Sequence, residues 1–299
     1  MASILKPFSN IIAPGTYQVP NGPLQIDWTQ PVTNGLIGAW VPGAMGNIDI
    51  SGGTQQYLNI DTNAAIDMFG DGSGLATTSS GGGYCGYYSA NLTSGSPFQA
   101  VTSSGGQNSV FVRCAYDGIV SGPSSYASLC GVNYDNNNTS PYYTWGLQSN
   151  AANGFTVYYN SAGTQINGNV NCTAFGSLVK GVEYDIAGCF AVNSTSPKLY
   201  QNGIDLGNTS TVFSSAATTT AAAFFAINRK NGAVPAETYT SHIVHACYVW
   251  NRYLGADEVM WLHLNPYGFL IPDEYELPAS SPVPPPFVPG PAGFTWAEY

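Results

Sequence analysis

The chain has 299 residues, with seven basic against 17 acidic side chains and a net charge of −10. Only 8% of residues are charged, against roughly 25% in an ordinary soluble protein, and seven cations are too few to neutralise many phosphates, which argues against a nucleic-acid binder. An apolar share of 44% with 13% aromatics is enough to bury a large core, so disorder is not expected, and no apolar run reaches the length of a membrane-crossing helix.

The first segment, 1–34, carries Pro7, Pro14, Pro20, Pro23 and Pro31 without a helical period and reads as an extended arm. Its start has one lysine and no apolar stretch of secretory type, so synthesis in a cytosol is expected. Cys85, Cys114, Cys130, Cys172, Cys189 and Cys247 are scattered, with no C-x-x-C pair. They are expected to be mostly buried reduced thiols, with disulfides the alternative. The Asn-x-Ser/Thr triplets at Asn91, Asn137, Asn138, Asn171, Asn193 and Asn208 read as chance in so Asn- and Ser-rich a chain.

From 35 to 272 short β-rich runs alternate with Gly, Asn and Ser turns. An acidic loop at 61–71 places Asp61, Asn63, Asp67 and Asp71 as oxygen ligands for calcium, and Asp135 to Asn138 forms a second polar loop. Neither has the spacing of a helix–loop–helix calcium site, so solvated turns compete with that reading. Tyr87, Tyr88, Tyr142, Tyr143 and Trp145, with Val157 to Tyr159, offer flat faces with polar tips for stacking on sugar rings; the competing reading is strand faces packed in a core.

In SVFVRCAYDG, Val110, Val112, Cys114 and Tyr116 share one face and Phe111, Arg113 and Ala115 the other. GFTVYYNS sets Phe155, Val157 and Tyr159 against Thr156 and Tyr158. Asn202-Gly203 predicts a tight hairpin, being tolerant of positive φ. In HIVHACYVW, Ile243, His245, Cys247 and Val249 oppose His242, Val244, Ala246, Tyr248 and Trp250. His242 and His245 should therefore point apart and share no metal. One short helix is predicted at about 256–264, stopped by Asn265-Pro266. The tail, 273–299, is rich in proline from Pro278 to Pro291, carries Asp273, Glu274, Glu276 and Glu298 without a base, and should be polyproline-like. Together these elements predict an all-β sandwich of antiparallel sheets.

Two stretches carry a family resemblance. Leu24 to Gly43 holds Trp28, Pro31, Gly35, Leu36 and Trp40 in the order that opens laminin-G-like, concanavalin A-like domains of tailed-bacteriophage and metagenomic proteins. LYQNGIDLG, FFAINRKNG and VHACYVWNRYLGADEVMWLHLNPYGFL resemble the closing segment of the same family, with an Asn-Gly hairpin, W-N-R-x-L and a Glu-bearing short helix. Gly255 stands where the family has Ser or Thr, and Asn228 where it has Gly. The resemblance implies a concanavalin A-like jelly roll over 35–272, flanked by the arm and the tail.

This sandwich hosts lectins, hydrolases and structural proteins, so chemistry must be sought separately. Retaining hydrolases of the superfamily carry E-x-D-x-x-E; here Glu183 and Asp185 are present but Gly188 replaces the acid. No nucleophile elbow, phosphate loop or H-E-x-x-H occurs. The expectation is therefore a non-enzymatic bacteriophage virion protein without cofactor, calcium aside, most simply a capsid decoration protein on the virion surface. Its partners would be the major capsid protein, other virion proteins and further copies of itself. Phe8, Phe287, Phe294 and Trp296 in the terminal arms would anchor it. The alternatives are a tail or fibre lectin binding a host surface glycan and, behind that, a polysaccharide depolymerase.

Overall fold

A computed structural model describes residues 24–41, 59–60, 68–69, 74–75, 87–88, 96–121, 126–134, 143–150, 154–161, 164–168, 178–179, 181–192, 197–208, 223–227 and 239–272. In chain order the elements are β1 (Leu24–Ile26), β2 (Leu36–Trp40), β3 (Asn59–Ile60), β4 (Met68–Phe69), β5 (Gly74–Leu75), β6 (Tyr87–Tyr88), β7 (Gln107–Ser121) and β8 (Tyr126–Tyr134). Then come β9 (Tyr143–Asn150), β10 (Gly154–Ser161), β11 (Thr164–Gly168), β12 (Glu183–Ala191), β13 (Lys198–Gln201) and β14 (Ile204–Asn208). The chain closes with β15 (Ala223–Ile227), β16 (Tyr239–Trp250), helix α1 (Ala256–Leu264) and β17 (Leu270–Pro272).

The strands form two large antiparallel sheets. One runs β11-β10-β9-β8-β15-β6-β3; the other runs β14-β13-β12-β7-β16-β5-β4, with β2 also paired to β16. Between them lies a shared core: Val110, Val112 and Cys114 of β7 meet Phe155, Val157 and Tyr159 of β10 and Leu129, Cys130 and Val132 of β8, where a bulge between Ser128 and Cys130 breaks the alternation. The period-2 reading of β7 and β10 thus holds, because each strand has one face in this layer. Trp40 stacks on Phe225 at 4.9 Å.

The outer face of the eight-stranded sheet is buried too. Phe111, Ala187, Cys189, Tyr200, Tyr248 and Trp250 pack beneath Val259 and Leu262 of α1 and beneath Tyr267, Phe269 and Leu270. The alternation expected in β16 fails at one point. A bulge between Val244 and Ala246 adds a residue, so Val244 joins Cys247 and Val249 in the inter-sheet core. His245 is the residue added at this bulge, so simple alternation does not relate His242 to His245; a second bulge lies earlier, between Thr240 and His242.

Residues 24–34, placed with the proline-bearing arm, belong to the body. β1 pairs with β17, and Ile26 and Val32 are buried in the outer core. Pro31 opens the 3-10 turn Pro31–Thr33. Residues 1–23 and 273–299 lie outside the described residues, and with them Phe8, Phe287, Phe294 and Trp296.

Candidate functional site

Helix α1 organises two polar features on the outer face. Gly255 opens it, and the Gly255 N–H donates to Glu258 Oε2 at 2.9 Å, half of a capping box; glycine has no side chain to return the bond. Arg252 then grips Glu258, with Nη1 donating to Oε2 at 2.8 Å and Nη2 to Oε1 at 2.6 Å. The same guanidinium donates to the carbonyls of Asn34 and Val32. Arg252 thus pairs with a carboxylate and caps carbonyls at once, tying the helix to the turn at 31–34. Burial alone would push the Glu258 carboxyl up, but the Arg252 and Gly255 hydrogen bonds and the Arg252 charge bring it below its ordinary value.

Between that turn and α1 lies a groove of about 230 Å³, lined by Gln30, Pro31, Val32, Asp257, Glu258 and Trp261. The turn is held from behind by Trp250, whose indole N–H donates to the Val32 carbonyl at 2.7 Å. Trp261 is half-buried, packed on the outer core. Gln30 donates its amide N–H to Asp27 Oδ2 at 3.0 Å, which leaves its carbonyl oxygen as an acceptor. Hydrogen bonds from the Thr29 side chain, from Gln30 and from the Thr29 N–H hold the Asp27 carboxyl below its ordinary value. In the adjoining turn Trp28 is 57% exposed. An indole face beside carboxylate and amide oxygens offers both halves of what a sugar ring presents, an apolar C–H face and hydroxyl donors.

At the other end of α1 is an ionic cluster. Arg113 on β7 donates from Nη1 to both oxygens of Asp185 at 3.0 and 3.1 Å, and from Nη2 to Glu183. His263 Nδ1 of α1 lies 2.8 Å from Asp185 Oδ2, and His245 Nε2 is 3.8 Å from Glu183 Oε1. Arg113 and Asp185 are each 3% exposed, whereas Glu183 is 46% exposed. The E-x-D pair is therefore on the outer face. Gly188 is turned into the sandwich, where an added Cβ would sit 2.7 Å from Leu147 Cδ2. No side chain at 188 could have joined Glu183 and Asp185 on one face.

The aromatic candidates separate. Trp145 is wholly buried between the sheets, its indole N–H donating to the Phe98 carbonyl at 2.8 Å, so no ring face is free for a sugar. Tyr158 and Tyr159 are likewise buried. Tyr87 and Tyr88 form β6 inside the seven-stranded sheet and Tyr143 opens β9; their side chains, and all of Tyr142, lie outside the described residues, as do Asp61, Asn63, Asp67 and Asp71. The groove residues Gln30, Asp257 and Trp261 were missed by sequence reading. The signal available was Glu258 three residues after Gly255, with Arg252 close before it.

No protein-family profile matches the chain, and no curated protein does. Among solved structures, a Trypanosoma rangeli sialidase in complex with sialic acid is similar over 78% of this chain and 33% of its own, with 18% identity and a TM-score of 0.53. The same sialidase with difluorosialic acid, a covalent intermediate, gives 0.51 over the same shares. The binding domain of Botulinum neurotoxin DC, in complex with rat synaptotagmin II, is similar over 78% of this chain and 52% of its own, with 10% identity and a TM-score of 0.51. The chain thus spans about a third of the sialidase, and the likeness is one of fold. It supports the β-sandwich without pointing to laminin-G or phage proteins in particular. It also corrects the expectation of a chain without catalysis: the structures sharing this sandwich include enzymes, so freedom from catalysis is not a property of the fold.

Proposed function

We propose that this sandwich is a carbohydrate-binding domain and that sugar docks in the groove between the Gln30–Val32 turn and α1. The observation that carries the reading is the half-buried Trp261 facing that groove beside Asp257 and Gln30. The fold shared with a sialidase in complex with sialic acid, a sugar, supports it. A groove of this size suits one or two sugar rings rather than a long chain. The test is titration with defined neutral, amino and sialylated oligosaccharides, followed by tryptophan fluorescence and calorimetry. Saturable binding that Trp261→Ala abolishes is expected; no response to any sugar at millimolar concentration sinks the reading. Free sugar is assayed in the same samples, and turnover would extend binding to glycoside cleavage.

The setting proposed for this domain is a bacteriophage virion, as a decoration protein on the capsid or as a receptor-binding lectin on the tail. The opening phrase Trp28 to Trp40 and the closing phrase Trp250 to Pro266 support it. In this setting 273–299 anchors the domain to the major capsid protein or another virion protein. Deleting 273–299 should leave the domain folded and remove it from particles; full occupancy of the truncated protein would end that proposal.

A further inference from the structure

The charges along the groove do not balance. Asp257 and Glu258 line it beside Trp261, and among the described residues no cationic side chain does. Glu258 is matched: Arg252 donates to both of its oxygens and the Gly255 N–H to one. Arg252 is also engaged by the Asn34 and Val32 carbonyls. Asp257 differs. It is exposed at the groove and, among the described residues, meets no cation. The other described Lys and Arg side chains are spoken for, Arg113 by Asp185 and Glu183 and Lys198 by Asp205. Asp27, which accepts from the Gln30 amide, adds a further negative charge beside the turn.

We propose that the groove selects a sugar bearing a protonated amine, such as a glucosamine unit, with Asp257 as the residue that sets this specificity; the proposal rests on the sugar-binding reading above. Asp257 and Trp261 stand four residues apart on α1, so they are neighbours on one helix face, and both line the groove. A ring whose C–H face lies on Trp261 therefore brings its substituents to the Asp257 carboxylate. An ammonium there gains a charge-assisted hydrogen bond, and the indole face favours a cation as well.

One effect opposes this. The positive end of α1 favours anions, but with only about half a unit charge. Asp257 and Glu258 both occupy that first turn, so the full charge on Asp257 outweighs it. A sugar carrying a carboxylate meets like-charge repulsion from Asp257, with no described guanidinium or ammonium open to pair with it. A neutral sugar keeps the stacking and the hydroxyl hydrogen bonds and lacks the ionic contact.

The test is calorimetric titration of the full chain with four sugars: the glucosamine disaccharide, its N-acetylated form, cellobiose and sialyllactose. The first three share one ring skeleton and differ in a single substituent per ring: ammonium, acetamide or hydroxyl. At low salt the glucosamine disaccharide should bind about three- to fivefold more tightly than the two neutral forms, the worth of one exposed ion pair, and sialyllactose more weakly than either. High salt should narrow the preference, as screening requires. Asp257→Asn should bring the three related disaccharides to similar affinities, and Trp261→Ala should remove binding of all of them. Equal affinity for the amino and neutral disaccharides in the native chain, or tighter binding of sialyllactose, would overturn the charge assignment and leave the sugar groove standing. An amine preference that survives Trp261→Ala would also overturn it, by placing the ammonium elsewhere. Silence toward all four sugars would remove the groove and its specificity together.

Discussion

Arg113 holds Asp185 through one nitrogen, Nη1 donating to both carboxylate oxygens at 3.0 and 3.1 Å, with each side chain 3% exposed. The pair lies under α1, where His263 adds a third contact to the same carboxylate. The Asp185 N–H also donates to the Asn202 side-chain oxygen at 3.0 Å, so the pair fastens the 202–203 hairpin as well as the helix.

Removing one partner from such a pair leaves a buried charge. Asp185→Asn should therefore destabilise the fold by about 3–5 kcal/mol, whereas Arg113→Met combined with Asp185→Leu should cost much less. Chemical denaturation of the three proteins checks this. A single-variant loss below about 1 kcal/mol would show that half-exposed Glu183 alone suffices to compensate Arg113.

Glu258 supplies a pH dependence. Its folded carboxyl lies below its ordinary value of 4.5, so its contribution is fully present above that value and lost as pH falls through the depressed one. The stability difference between the native chain and Glu258→Gln should be steady from pH 7 to 5 and shrink towards pH 3. Urea melts across that range test the sign; a gap that widens in acid would contradict it.

The hairpin tip depends on glycine. Asn202 and Gly203 have φ of 52° and 77°, and a Cβ on Gly203 would meet Met260 Sδ at 2.8 Å. Gly203→Ala should cost about 1–2 kcal/mol from backbone strain, with the flexible Met260 side chain giving way. Thermal denaturation measures it, and an unchanged Tm would mean the turn has relaxed to another type.

In the groove, Asp257→Asn and Gln30→Ala should each weaken sugar binding up to about tenfold, the worth of one hydrogen bond. Asp257 is exposed, so Asp257→Asn should leave the melting curve unchanged. Calorimetry beside thermal melts separates the two effects. A variant that melts normally and binds as tightly as the native chain would move the sugar site elsewhere.

What the chain's own pattern determined was local. Period-2 alternation in 110–115 and 155–159 assigned inner and outer faces, Asn202-Gly203 placed a hairpin, and Gly255 with Asn265-Pro266 bounded the helix, because each depends on neighbours a few residues apart. Tertiary structure decided what depends on partners far along the chain. The bulge at Val244 to Ala246 reverses the face of Val244, and pairing of β1 with β17 draws residues 24–34 into the body. Trp145 is enclosed by the opposite sheet rather than offered to solvent. Arg113, Asp185 and His263 meet, and so do Gln30 and Trp261, only when a helix late in the chain closes over a sheet assembled from its middle. Such contacts leave no periodic trace, since their energy comes from burial and charge pairing in three dimensions rather than from spacing along the backbone.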